Sequence, residues 1–189
     1  MEKKKGENIN MNTREKARGE IIEFLKAEGE KCTLLTGTFQ NEKHPLVLRT
    51  INELLEGCSI LFRANSMQNL GSFFSNHNTN FKTGVAYKLG KSSMYIDTIN
   101  PITWKKSPHN LDIAVVYPFD SVTKNNSKER LMEDLFTYRD IQKIFLVSWT
   151  DTHDFSWAEE YIDRKVVFDA EEEEPEYHMR MIDYLSKYK

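Results

Sequence analysis

At 189 residues the chain suffices for one substantial core, since a domain of this size buries roughly 70% of the surface its unfolded chain exposes, and no second domain is required. Its 39% hydrophobic content, spread as short runs between polar stretches, excludes a disordered chain; no run approaches the ~20 residues of a membrane span, and the start MEKKKGENINMN lacks an apolar segment, so a cytoplasmic protein without membrane contact is expected. The net charge of -3 excludes a strongly basic nucleic-acid module, and Cys32 and Cys58, without metal-ligand spacing, read as buried reduced thiols.

In chain order, residues 1–11 read as a flexible polar tail, leaving 12–189 as a single α/β domain. Asn12 with Glu15 makes a capping pair for a first helix, with Ala17, Ile21, Phe24 and Leu25 on its buried face and Gly29 at its end. Residues 32–36 are short and apolar, as in a buried strand. Pro45 opens a second helix with Val47, Leu48, Ile51, Leu54 and Leu55 inward, and Gly57 stops it. Residues 59–63 predict a strand, 67–74 a short helix and 75–80 a polar loop. Two β-rich runs, 84–89 and 93–99, flank Gly90-Lys91 and predict an inserted β-hairpin around 83–99. The nearly continuous apolar run 112–117 predicts a strand covered on both faces. A helix at 127–138, strands at 144–147 and 166–168, a solvated turn at 171–174 and a helix at 177–188 with Met181, Ile182 and Leu185 complete the pattern.

This alternation predicts an α/β fold, a three-layer and mostly parallel sheet with helices on both faces. The ligand crevice of such a sheet lies at the carboxyl ends of its strands, here the loops beginning near Gly37, Arg63, Pro118 and Ser148. The first of these loops reads GTFQNEKH, Gly37 to His44, and leads into a helix. It resembles the Walker A motif of P-loop NTPases: Gly37 stands at the first glycine and Lys43 at the lysine, while Glu42 replaces the second glycine and His44 the Ser/Thr.

The resemblance implies a degenerate P-loop NTPase-like domain of the RecA/ASCE type. Gly37, Thr38, Gln40, Asn41, Lys43 and His44 would surround a phosphate, with ATP or another nucleotide and Mg as the cofactor; separately, Arg63 after the next strand would face the same crevice and pair with phosphate or with Asp120, or else make a structural ion pair. Such a loop works through backbone N–H groups and a helix N-terminus aimed at phosphate oxygens. Glu42 sets a carboxylate where an anion should sit, and His44 lacks the hydroxyl that holds magnesium. Asp120, three residues past Tyr117, lies near the place of a Walker B acid.

Asp151, His153 and Asp154 follow another predicted strand; with Asp120 they offer ligands for a divalent cation, with Asp120 and Asp151 as catalytic carboxylates. The same residue types are common in turns and caps. Trp149, Phe155 and Trp157 suit either base stacking or core closure. Residues 32–110 carry eight Lys/Arg against four Asp/Glu, and residues 111–189 ten against eighteen, so the two halves suit different partners, nucleic acid or protein. The expected function is a domain that binds a nucleotide, a phosphate-bearing ligand or a macromolecular partner rather than efficiently hydrolysing ATP. A metal-dependent phosphoesterase or nuclease and a non-enzymatic protein-interaction module stay open.

Overall fold

The computed structural model describes residues 11–74 and 80–188; the expected tail, except Met11, and most of the 75–80 loop lie outside them. The elements run α1 (Arg14–Lys26), β1 (Cys32–Thr36), α2 (Lys43–Leu54), β2 (Ser59–Ala64), a 3₁₀ turn leading to α3 (Leu70–Phe73), β3 (Ala86–Leu89) and β4 (Ser92–Thr98). After the 3₁₀ turn Pro101–Lys106 come β5 (Asn110–Tyr117), α4 (Asn125–Glu133), a π-helical turn Asp134–Tyr138, β6 (Asp140–Val147), the 3₁₀ turn Ser156–Tyr161, β7 (Arg164–Val167) and α5 (Pro175–Ser186).

The strands form one sheet in the order β3-β4-β2-β5-β6-β1-β7, parallel at every pairing except β3 with β4. Residues from both faces of the central strands are buried, which explains their unbroken apolar runs. On one face Ile21, Phe24, Val47 and Ile51 of α1 and α2 pack on Ile60, Phe62 and Phe145. On the other, Leu131, Met132, Leu135 and Ala158 pack on Leu34, Leu61, Val116 and Leu146. The three layers match the sequence pattern. The expected hairpin forms, but only β3 is an addition, because β4 pairs in parallel with β2 from Ser59↔Ser93 to Ala64↔Thr98.

Three local expectations are corrected. Thr13 rather than Asn12 caps α1, accepting from the Lys16 amide at 3.2 Å, while Asn12 donates to Asp169 at 2.8 Å. α2 begins two residues before Pro45, which is tolerated in a first turn because its missing N–H has no intrahelical partner there. α5 buries none of its residues fully: Met181 and Leu185 are half-buried and Ile182 is exposed. Among the described residues no helix is long and apolar enough to cross a membrane.

Candidate functional site: a phosphate-type loop with internal carboxylate partners

Adjacent strands β1 and β6 send their connections in opposite directions, β1 through α2 toward β2 and β6 through Ser156–Tyr161 to β7. Such a divergence opens a crevice at the strands' carboxyl ends. The Gly37–His44 loop lies there, opposite residues 148–151. Gly37 has φ +118°, and a Cβ built on it would meet the Phe168 carbonyl oxygen at 2.1 Å, so only glycine permits this approach to the end of β7.

Five of the loop amides are engaged within the protein. Gly37 N–H donates to Asp151 Oδ2 at 2.7 Å and Thr38 N–H to Asp169 Oδ1 at 2.9 Å. Phe39 N–H reaches the Phe168 carbonyl at 3.3 Å, Gln40 N–H that of Thr38 at 3.0 Å, and Glu42 N–H that of Phe39 at 3.3 Å. Thr38 Oγ1 accepts from the Ala170 amide at 3.0 Å and pairs with His178 Nδ1 at 2.8 Å. The Gln40 side chain accepts from Tyr177 Oη at 2.7 Å. Asn41 is exposed. Glu42 does not plug the loop; it turns outward and accepts from Arg14 and Arg49, each at 3.0 Å.

Lys43 is wholly buried, with Nζ donating to the Gly37 carbonyl and, at 3.2 Å, to the Trp149 carbonyl. Burial pushes the ammonium down to about 8, while nearby Asp151, Asp120 and Asp169 act in the opposite direction. Between about 8 and the ordinary lysine value of 10.5, the unfolded chain binds more protons at this residue than the folded one. Stability contributed here therefore rises with pH across that window. Urea unfolding should show the native protein gaining about 2 kcal/mol on Lys43→Met between about pH 7 and about pH 10; a pH-independent difference would show that the amine is not desolvated.

Two of the expected phosphate-site residues lie away from the loop. His44 faces away from the loop: it stacks on Tyr117 at 4.0 Å, and its Nε2 lies 2.9 Å from the Phe73 carbonyl. A carbonyl oxygen can only accept, so the ring is the Nε2–H tautomer, and burial holds its pKa down to about 4. Arg63 sits inside the layer of the π-helical turn rather than in the crevice, bonded to Asp97 at 2.7 and 2.8 Å and to Asp134 at 2.8 Å.

The acid–histidine group also separates. Asp120 caps the opposite loop, accepting from the Trp149 amide at 2.6 Å and the Thr150 amide at 3.4 Å. Asp151 accepts from Ser148 Oγ at 2.8 Å as well as from Gly37. His153 is exposed and pairs with Thr152; Asp154 accepts from the Ser156 amide and hydroxyl, and these bonds lower its pKa. Asp120, His153 and Asp154 line a cavity of about 270 Å³, yet among the described residues no group of three or more His, Cys, Asp or Glu is placed to hold a metal ion. Asp120 and Asp151 thus converge on Lys43 electrostatically while their oxygens serve separate amides.

Sequence reading missed Asp169, His178 and Tyr177, all of which close on this loop. The usable signal for Asp169 was its place just past the last strand, two residues beyond the end of β7 as Thr38 is two residues beyond the end of β1. Trp149 is exposed, whereas Phe119 packs against both Phe155 and Trp157, at 5.4 and 5.3 Å, closing a core rather than offering a stacking face.

No protein-family model matches the sequence, and no curated protein matches it. Among solved structures, the large terminase of a thermophilic bacteriophage in complex with ADP superposes with a TM-score of 0.54 at 8% identity, over 92% of this chain and 50% of the terminase. Another crystal form of that terminase gives a TM-score of 0.48 at 6% identity, over 82% and 44%. The chain therefore spans about half the length of that protein. Identity this low carries the fold alone: a mostly parallel α/β sheet with helices on both faces.

Proposed function

We propose that the chain is a P-loop NTPase-like domain that does not hydrolyse ATP efficiently and acts by engaging a macromolecular partner, its phosphate-type loop serving as a structural joint. The observation that carries this reading is the capture of the Gly37 and Thr38 amides by the Asp151 and Asp169 carboxylates. A phosphate entering the loop would have to displace both. It would also meet one buried ammonium among three nearby carboxylates, Asp120, Asp151 and Asp169, a balance that disfavours a polyanion. The residues present do not fit a magnesium nucleotide either: Thr38, the one hydroxyl between Gly37 and His44, is bonded to Ala170 and His178, and His44 points away.

Because the structurally similar terminase was crystallised in complex with ADP, ADP and ATP are the appropriate probes. Calorimetric titration with and without magnesium should give no binding heat, and phosphate release should stay at the blank rate. Saturating nucleotide should leave the melting temperature unmoved, whereas a ligand at a hundred times its Kd would add about 2.7 kcal/mol. Micromolar nucleotide binding that Lys43→Ala abolishes would overturn the reading.

A further inference from the structure

The charge imbalance of the sequence becomes a spatial one in the fold. Between residues 80 and 110 the chain carries five lysines, Lys82, Lys88, Lys91, Lys105 and Lys106, and one carboxylate, Asp97. Asp97 is fully buried and spent on Arg63, so the surface of this segment has no negative charge of its own. Lys91 pairs with Glu56 from outside it. The other four lysines are exposed, and among the described residues no salt bridge engages them.

Topology gathers these lysines on one edge. Lys88 lies opposite Ser93 across the β3–β4 ladder, so the two share a face, and Tyr95 and Asp97 follow Ser93 on it at the strand's two-residue period. The turn Pro101–Lys106 covers that same face, because Trp104 stacks on the Arg63 guanidinium that holds Asp97. Gly84, at φ +80°, brings the chain entering β3 against this turn: a Cβ on Gly84 would lie 2.8 Å from Lys106 Cβ. Lys82 is two residues before that contact and Lys105 is beside it. Ile102 on the same turn is 78% exposed. At the opposite end of the sheet, beyond β7, lies the exposed acidic run Glu171, Glu172, Glu174 and Glu176, and six strand spacings put the two edges roughly 30 Å apart. That distance exceeds the ~8 Å screening length of physiological salt, so the acids do not cancel the basic edge.

We propose that the lysine-bearing edge made by β3, β4 and the turn Pro101–Lys106 binds the phosphodiester backbone of nucleic acid. This names the partner in the macromolecular part of the reading above and rests on that part. Four flexible lysines with no fork geometry and no recognition helix grip phosphates without reading bases. The decisive measurement is fluorescence anisotropy with labelled single-stranded and duplex DNA of about 20 nucleotides. Binding should be in the micromolar range near 50 mM salt and about fifty-fold weaker near 200 mM, the dependence expected for three or four phosphate contacts. Binding of either form supports the proposal, and the tighter one identifies the natural geometry.

Lys88→Glu/Lys105→Glu/Lys106→Glu should abolish binding while preserving the far-UV dichroism and melting temperature, and Lys187→Glu on α5 should bind as the native chain does. The proposal is overturned if neither DNA binds near 50 mM salt, if the triple variant binds as the native chain does, or if anionic vesicles compete as well as DNA. It is overturned equally if the triple variant instead abolishes low-salt self-association of the basic edge with the acidic edge of a second copy. Loss of this proposal leaves the loop reading intact, since nucleotide calorimetry tests that separately.

Discussion

Arg63→Ala should destabilise the protein by about 3–5 kcal/mol, the loss seen when one partner of a buried ion pair is removed. Arg63 is fully buried, and its Nε and Nη2 make a forked pair with Asp97 while Nη1 reaches Asp134 at 2.8 Å. Asp134 is shared with Arg139 at 2.7 Å, and Arg139 also bonds the Trp104 carbonyl at 3.0 Å. The cluster ties β2 and β4 to the π-helical turn and to Pro101–Lys106. Without Arg63, Asp97 keeps only the Ser107 hydroxyl at 2.9 Å among the described residues. The cost comes from stranding that carboxylate, so Arg63→Met/Asp97→Leu should recover much of the loss, with Asp134 still held by Arg139. Urea denaturation of the single and double variants decides this, and a double variant no more stable than Arg63→Ala would locate the energy in packing rather than charge.

The same cluster explains where the sequence is hard to read. An apolar run that ends in arginine looks like a strand reaching solvent, and that pattern places Arg63 at a loop. β2 in fact continues to Ala64, and the alternation of strand side chains points Arg63 into the helical layer, where Asp97 and Asp134 await it from 34 and 71 residues away. No local pattern announces such partners. Where burial alone decides, local pattern suffices: β1 forms at 32–36 as its apolar run predicts. β5 and β6 begin two and four residues earlier than their apolar runs, because the pairs Asn110↔Asp140 and Leu111↔Ile141 extend the ladder past the polar residues Asp140, Gln142 and Lys143 that interrupt the apolar pattern. Within the candidate site, Gly37 and Lys43 are legible by spacing, whereas the carboxylate that captures Thr38 comes from Asp169, 131 residues on.

Gly37→Ala should cost more than about 3 kcal/mol, and the reason bears on how the Walker A resemblance is understood. Two penalties combine. A left-handed backbone costs an L-residue about 1–2 kcal/mol, and here φ is +118°. The added methyl would also stand 2.1 Å from the Phe168 carbonyl oxygen and 2.5 Å from its carbon, backbone atoms that cannot yield without parting β1 from β7. Gly57 separates the two contributions: its φ is +70° and nothing lies within 4 Å of its built Cβ, so Gly57→Ala should lose only the conformational share. If the two variants proved equally stable, the glycine would not be serving strand contact, and an anion-binding role for the loop would regain its standing. A much larger loss at Gly37 means that glycine is demanded here by the approach of the backbone to Phe168. The motif's first glycine then has a structural cause in this chain, independent of any phosphate, as the carboxylates on the Gly37 and Thr38 amides also indicate.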